Sequence, residues 1–339
     1  MREQNASISG EDALIAKFRD LIENAGCTQR ILNGIGDDAA VWQPSRSNRS
    51  IVTADMLIEG VHFTRGLMSL HDAGYRAMAA NISDAAASGA RPVLATVSLG
   101  LPKDTPQDDA LALYRGIVAC AKEYRCAIAG GDCSASPAIA ISIALVGEVR
   151  ASNVKTRAGA KPGDIAAVTG PLGASRAGLF AAKGDVVLAP EVQAQAFDAF
   201  RVPQARVAQG RWLAASAHVR AMMDISDGLS TDLARMCARS SCGALVEDVP
   251  VAASALQAAR LQGADPQAFA LAGGEDFELL VAVAPRAFAH LASRYRARFG
   301  SSLIPIGRFR EGSGVAARNA DGELPLTPSG FDHFNGAAP

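Results

Sequence analysis

Aromatic side chains are scarce in this chain. Phe, Trp and Tyr together make up 5% of it, too few for a surface that stacks nucleic-acid bases. Neither sign of charge prevails. Lys and Arg number 33 against 34 Asp and Glu, a formal net charge of −1, which excludes the basic surplus of a general nucleic-acid binder. No uncharged apolar run reaches the roughly 18 residues that a membrane span requires. The N-terminal MREQNASISGEDALIAKF lacks the apolar core of a secretory signal. The six cysteines, Cys27, Cys120, Cys126, Cys133, Cys237 and Cys242, include no C-x-x-C pair, so neither a zinc site nor a dense disulfide framework is predicted. The expectation is a reduced, cytoplasmic protein with no nucleic-acid partner and no membrane partner. Only five His are present, and none forms a metal-like pair. The chain also lacks H-E-x-x-H, G-x-S-x-G and G-x-x-x-x-G-K-[ST]. These absences disfavour zinc hydrolysis and serine acyl transfer, and exclude a P-loop.

What remains is ample. The 339 residues suit two domains, and 49% of them are apolar, enough for a sizeable core. Leu14, Ile15, Phe18, Leu21 and Ile22 share one helical face, with Ser9 as N-cap and Gly26 as stop. A short strand is predicted at 50–54, a helix at 69–88 closed by Arg91-Pro92, and a strand at 93–101. A helix follows with Pro106 at its first position. Ile139, Ile141, Ile143 and Leu145 alternate as a half-buried strand. RASNVKTRAGAKPGD, 150–164, is polar, basic and turn-rich, so the domain boundary is placed there, giving 1–150 and 151–339. Beyond it, strands are predicted at 165–169, 222–226, 278–284 and 302–308. Helices are predicted near 173–183, 191–200, 203–217, 228–239, 252–262 and 286–297. Little regular structure is expected in the last 25 or so residues. Without strict βαβ alternation, the pattern points to α+β halves rather than a doubly wound sheet.

The distinctive feature is where the carboxylates fall. They recur beside small residues in turn-like settings: Gly36-Asp37-Asp38-Ala39, Thr53-Ala54-Asp55, Asn81-Ile82-Ser83-Asp84, Gly130-Gly131-Asp132, Asp224-Ile225-Ser226-Asp227-Gly228 and Gly273-Gly274-Glu275-Asp276. One Asp beside Gly is ordinarily a turn former or a cap. Capping does not call for the doubled acid at Asp37-Asp38, nor for six such places. Carboxylates are hard oxygen donors, and Mg²⁺ takes one or two of them per ion and fills its shell with water and phosphate. The set therefore implies several Mg²⁺ ions around a polyphosphate. The Gly-rich stretch 169–178 is read as a plain strand-to-helix turn in preference to a phosphate loop. His62, in EGVHF after the Asp55 strand, suits a structural ring or a contact to an anionic substrate equally well. Arg157 is either a solvated linker charge or a clamp on phosphate oxygens.

Taken together, the motifs resemble the thiamine-monophosphate kinase family, within the superfamily of aminoimidazole ribonucleotide synthetase. The likeness runs through GIGDDAAV (34–41), TADMLIEGVHF (53–63), NISDAAASGARP (81–92), GGD (130–132), TRAGAKPGD (156–164), VTGPLGASRAG (168–178), DISDGLSTDL (224–233), AGGEDFELL (272–280) and GFDHF (330–334). The resemblance implies an α/β (α+β) two-domain fold of mixed sheets flanked by helices. The N-terminal domain would pair in a homodimer, with nucleotide and metals in a cleft between the domains. The implied activity is ATP-dependent phosphorylation of thiamine monophosphate. Carried over by position, Asp38, Thr53, Asp55, Asp84, Asp132 and Asp224 correspond to Mg²⁺ ligands, with Asp227 a further one and the Ala54 carbonyl a backbone candidate. Gly131, Asp132, Arg157 and Ser226 correspond to ATP contacts; His62, Glu275 and Phe331 correspond to substrate contacts. No dedicated general base is expected. Three positions depart from the family pattern: Cys133-Ser134-Ala135 where two threonines are usual, Ala54 where Thr is common, and Phe331 where Tyr or Trp is frequent. The alternatives left open are another ATP-using member of the superfamily, such as an aminoimidazole ribonucleotide synthetase, and a non-catalytic nucleotide-binding regulator.

Overall fold

The computed structural model describes residues 11–33, 41–319 and 322–330. Ser9, Asp37, Asp38 and Phe331 lie outside them. The chain divides into two compact units. The first takes the described residues up to Ala85 together with Ala90–Ala151; the second takes Ala86–Gly89 and the residues from Ser152 onward.

In the first unit, α1 (Glu11–Ala25) buries Leu14, Phe18 and Ile22 from one face. The ring of Phe18 stacks on Tyr114, with centroids 3.9 Å apart. A small pair, β1 (Ile31–Asn33) and β2 (Val41–Trp42), precedes β3 (Asn48–Ile58), α2 (Leu70–Ala87), β4 (Arg91–Leu101), α3 (Gln107–Glu123), β5 (Ala127–Ala135) and β6 (Ala140–Arg150). The four long strands make one sheet in the order β3-β6-β4-β5. Its strands are antiparallel except β4 with β5. Ile141, Ile143, Leu145, Ala95, Val97, Leu99 and Leu57 alternate onto a buried face. The other face stays open, with Val52 75% and Met56 52% exposed. α2 and α3 cross at glycines: a Cβ on Gly74 would lie 2.0 Å from the Leu113 carbonyl, and one on Gly116 1.8 Å from that of His71. Glu148 ties the outer parts to this sheet. It accepts hydrogen bonds from Arg30, Arg91 and the Ser45 N–H. Burial pushes its carboxyl up, but these partners prevail and hold it at about 2.

The second unit runs β7 (Ile165–Val168), α4 (Ala174–Lys183), α5 (Pro190–Arg201), α6 (Val207–Ala214), β8 (Val219–Asp224), α7 (Leu229–Ser240), β9 (Gly243–Val246), α8 (Ala253–Leu261), α9 (Pro266–Leu271), β10 (Leu279–Val283), α10 (Pro285–Phe299), β11 (Ile304–Arg310), β12 (Val315–Asn319) and β13 (Gly322–Pro325). Seven strands form a sheet in the order β13-β12-β9-β11-β7-β10-β8. Only β12 with β9 is parallel. Helices pack on both faces. Leu229, Leu233 and Met236 of α7 meet Val168, Met223 and Leu280 on one side. Leu213, Leu291 and Tyr295 meet Met222, Leu279 and Val281 on the other. Two covered faces explain why β10 reads Leu-Leu-Val-Ala-Val without alternation and is buried throughout.

Several sequence expectations are corrected. Pro106 is the N-cap of α3, not its first residue. Arg91 and Pro92 begin β4 and do not close α2. The 203–217 helix contracts to α6, with Arg206 as its N-cap and its side chain bonded to Glu278. Gly130-Gly131-Asp132 lies inside strand β5, not in a turn. Strand β9 and helix α9 were not foreseen, and neither were β12 and β13 in the C-terminal stretch.

Candidate functional site

In the first unit the candidate residues gather where edge strand β3 meets α2. Thr53 and Asp55 are two apart in the strand, so they share one face. Asn81 and Asp84 are three apart in the helix, so they also share a face. The two pairs interlock. The Thr53 hydroxyl donates to Asp84 Oδ2, and the Asp55 N–H donates to Asn81 Oδ1 at 3.2 Å. Asn81 is fully buried and in turn donates to the Ala77 carbonyl at 3.0 Å. Thr53, Asp55 and Asp84 thus present side-chain oxygens on a braced strand–helix contact. Because the Asp55 N–H points off the sheet edge, the alternation of an antiparallel ladder turns the Ala54 backbone groups inward to Ala144. The Ala54 side chain is on the exposed face.

His62 follows on a tight turn anchored by buried Phe63. Gly60 N–H donates to the Phe63 carbonyl, and the His62 N–H to that of Ile58. The ring accepts the Ile58 N–H at Nδ1, 3.0 Å away. A neutral ring held so carries its proton on Nε2.

Asp132 lies elsewhere in the same sheet. The register runs Asp55–Ile143–Val97–Gly131 across four strands, with Met56–Ser142–Ser98–Asp132 as the next row. Asp132 is therefore on the opposite edge and opposite face from Asp55, three strand spacings away, or roughly 14 Å. Ser134 Oγ is 3.4 Å from its carboxylate. Gly131 has a packing reason of its own: a Cβ there would fall 1.7 Å from the Val97 carbonyl. Gly131→Ala is accordingly expected to lose about 2 kcal/mol or more of stability through overpacking, measured by denaturant unfolding without ligand.

The second unit assembles its own cluster at the end of β8. Asp224 is buried at the strand's last position, opposite Leu279. The loop 225–228 then turns into α7. The GGEDFE loop lies along it: Glu275 N–H donates to the Ser226 carbonyl at 2.7 Å and Phe277 N–H to that of Ile225 at 3.0 Å. Glu275 and Phe277 both take positive φ, 62° and 50°. Asp224, Ser226, Asp227 and Glu275 are thereby brought together. Ser329 and Gly330 dock on the first turn of α7 through Ser230 and Thr231. Arg157 is exposed on the segment beside edge strand β8, where the Thr156 carbonyl accepts the Met222 N–H.

Two further acids, neither of them carried over individually as a site residue, organise this cluster. Asp232, fully buried, accepts the N–H groups of Ser226 and Asp227, each at 3.0 Å. Burial and the neighbouring Asp227 push its carboxyl up to about 6, against the pull of Arg235 and the two N–H groups. Asp276 accepts the N–H groups of Gly173 and Ser175 at the start of α4. Desolvation pushes it up to about 7, with Glu278 adding to the push and the N–H bonds opposing it. That carboxylate occupies the helix start that a phosphate would use, so the 169–178 stretch is a strand-to-helix turn. Beneath it, Glu278 is held by Thr169 Oγ1 at 2.6 Å and by one edge of the Arg206 guanidinium, Nε at 3.1 Å and Nη2 at 2.5 Å.

Among the described residues, no group of three or more His, Cys, Asp or Glu converges as a metal site. The donors that do gather, Thr53, Asp55 and Asp84 in one unit and Asp224 and Asp227 in the other, are all oxygens. One or two carboxylates with a hydroxyl fit a magnesium ion that completes its shell with water and phosphate. Asp38 lies outside the described residues, and so does Phe331.

Comparison with known proteins matches residues 36–149 to the AIR synthase related protein N-terminal domain, and 161–317 to the corresponding C-terminal domain. The chain is 35% identical over 306 residues to a thiamine-monophosphate kinase of Synechococcus elongatus, covering 88% of this chain and 91% of that protein. Among solved structures, the thiamine-monophosphate kinase of Stenotrophomonas maltophilia superposes with a TM-score of 0.79 at 32% identity, covering 92% of this chain and 97% of that one. A structure of AaThiL complexed with AMPPCP and TMP superposes with a TM-score of 0.75 at 30% identity, covering 97% and 100%.

Proposed function

Because this chain belongs to the thiamine-monophosphate kinase family, we propose that it transfers the γ-phosphoryl group of ATP directly to the phosphate of thiamine monophosphate, forming thiamine diphosphate and ADP. The observation that carries this reading is the Thr53–Asp84 and Asp55–Asn81 interlock. It holds oxygen donors ready without supplying any general base. The acceptor needs none. A phosphate monoester has its second pKa near 6 and is mostly dianionic at pH 7. The obstacle is repulsion between two polyanions, and several bound Mg²⁺ ions would supply the neutralising charge.

Thr53, Asp55, Asp84, Asp224 and Asp227 would hold those ions, with Asp38 and Asp132 completing the set. Ser226, Gly131 and Arg157 would contact nucleotide. His62, fixed through Nδ1 by the Ile58 N–H, would contact the substrate phosphate. Glu275 faces the cationic thiazolium in this reading, and Phe331 stacks on a substrate ring, a contact of roughly 0.5–2 kcal/mol. Phe331→Ala is expected to raise KM for thiamine monophosphate about tenfold with KM for ATP unchanged. Equal effects on both would reassign Phe331 to packing of the tail. The reading itself is tested by incubating the protein with thiamine monophosphate, ATP and Mg²⁺. Nucleotide binding without product would favour a regulator.

We further propose that the working form is a homodimer joined through the open face of the β3-β6-β4-β5 sheet, where Val52 and Met56 are exposed. The separation of Asp132 from Asp55, on opposite edges and faces of the sheet within one chain, supports it, since a second copy offers another way to complete the site. Met56→Glu, measured by light scattering, is expected to shift the protein to monomers. The domains acting in this scheme are 1–150 and 151–339. No helix among the described residues is long and apolar enough to cross a membrane, and all six cysteines are free thiols. In this reading the protein works in the cytoplasm, without nucleic-acid or membrane partners.

A further inference from the structure

Asp232 and Arg235 lie one helical turn apart on α7. An N-cap acid ordinarily precedes its helix and accepts N–H groups from inside it. Asp232 does the reverse. It sits inside α7 and reaches back to the N–H groups of Ser226 and Asp227, both of which precede Gly228, the N-cap. Its side chain is completely buried, an environment that disfavours an ionised carboxylate unless it is paired and hydrogen-bonded. The pairing comes from Arg235, whose Nη1 donates to Asp232 Oδ1 at 3.0 Å. The same Nη1 also donates to Asp227 Oδ2. One guanidinium nitrogen therefore bridges two carboxylates, one sealed in and one 30% exposed at the loop.

A residue needed only to start α7 would have no reason to engage two N–H groups of the preceding loop. A surface ion pair would not be shared with a buried acid. Both features make sense if the loop must be held in one shape and if Asp227 must be neutralised whenever no cation is bound. Resting on the functional reading above, we propose that Asp232 is a positioning residue for the Ser226–Asp227 loop, and that Arg235 is a resident counter-charge on Asp227 which a divalent cation displaces. Displacement leaves Arg235 paired to Asp232, so no buried charge is stranded when the cation binds.

The experiment compares wild type with Arg235→Gln, Arg235→Lys and Asp232→Asn. Manganese binding to the nucleotide-free protein is read from the electron paramagnetic resonance signal of free Mn²⁺. Arg235→Gln is expected to tighten Mn²⁺ binding about fivefold, the size of one partly exposed ion pair lost. Arg235→Lys keeps the charge and is expected to stay near wild type. In the wild type Oδ2 alone accepts both N–H groups and Oδ1 accepts Arg235, so Asp232→Asn keeps an oxygen for the loop but loses the charge and presents an amide to Arg235. It is expected to raise KM for ATP about tenfold while KM for thiamine monophosphate stays put. Unchanged or weaker Mn²⁺ binding in Arg235→Gln overturns the counter-charge, as does a wild type that binds no Mn²⁺. Asp232→Asn raising both KM values in step with a lowered Tm overturns the positioning role. If Asp232→Asn does not fold, Mn²⁺ binding by the two Arg235 variants decides. Absence of kinase turnover in the wild type would count against the functional reading alone and leave the Mn²⁺ comparison standing.

Discussion

Asp84→Asn is expected to lower kcat by about 10²–10³-fold, the range seen when one preorganised electrostatic group is removed from a transition state, while the thermal midpoint moves little. The asymmetry follows from what Asp84 touches. Its Oδ2 accepts the Thr53 hydroxyl, and asparagine keeps an oxygen of the same reach for that bond. Asp84 is only partly buried, so the substitution strands no partner in an apolar interior. What is lost is a negative charge beside Asp55, where two phosphates would have to be brought together by cations. Steady-state kinetics at saturating Mg²⁺, with a melting curve beside them, separate the two effects. Near-wild-type turnover would remove Asp84 from the metal set. Loss of fold would make it a structural residue.

The largest stability effect is expected at Arg206→Ala, about 3 kcal/mol, the lower end of the cost of breaking a buried ion pair by deleting one partner. Glu278 has 6% side-chain exposure and Arg206 29%. The guanidinium engages both carboxylate oxygens, and Thr169 supplies one further donor. Removing Arg206 leaves that buried carboxylate, the last residue of GGEDFE, without its counter-charge. Replacing both partners with apolar residues, Arg206→Met with Glu278→Leu, is expected to recover much of the loss, because a buried pair and a packed apolar pair are of comparable stability. Urea unfolding of the single and double variants measures it. A single variant within 1 kcal/mol of wild type would mean that water reaches Glu278 freely.

The parts of this molecule that a sequence reveals are those governed by local periodicity. The α1 stripe of Leu14, Phe18 and Ile22 and the alternation at Ile139 to Leu145 each state which face is buried. Thr53 with Asp55, and Asn81 with Asp84, obey the same strand and helix spacing, but the strand predicted at 50–54 stops short of Asp55, which lies inside β3. Gly130-Gly131-Asp132 was misread as a turn because two glycines signal one. Only the pairing with β4 shows that Gly131 is small to let the Val97 carbonyl approach. Strand β9 is four residues long and begins two residues after the helix C-cap at Ser241, too short to announce itself. Asp232 looks like an ordinary helix acid, and Asp276 falls in the set of carboxylates read as metal-binding although it accepts the N–H groups of Gly173 and Ser175 instead. Their roles depend on N–H groups that tertiary structure brings to them. Lys or Arg three residues after an Asp is routine on any helix surface, so Arg235 carried no signal either. The motif resemblance supplied the list of site residues, and the geometry supplies the reason that Thr53, Asp55 and Asp84 are held where they are.

The most direct measurement follows phosphorus itself. With thiamine monophosphate, ATP and Mg²⁺, ³¹P NMR should show a new diphosphate ester growing in step with ADP, and excess EDTA should stop both. ATP consumed to ADP and inorganic phosphate, with thiamine monophosphate left intact, would contradict the account, as would transfer that continues undiminished after the divalent cations are removed.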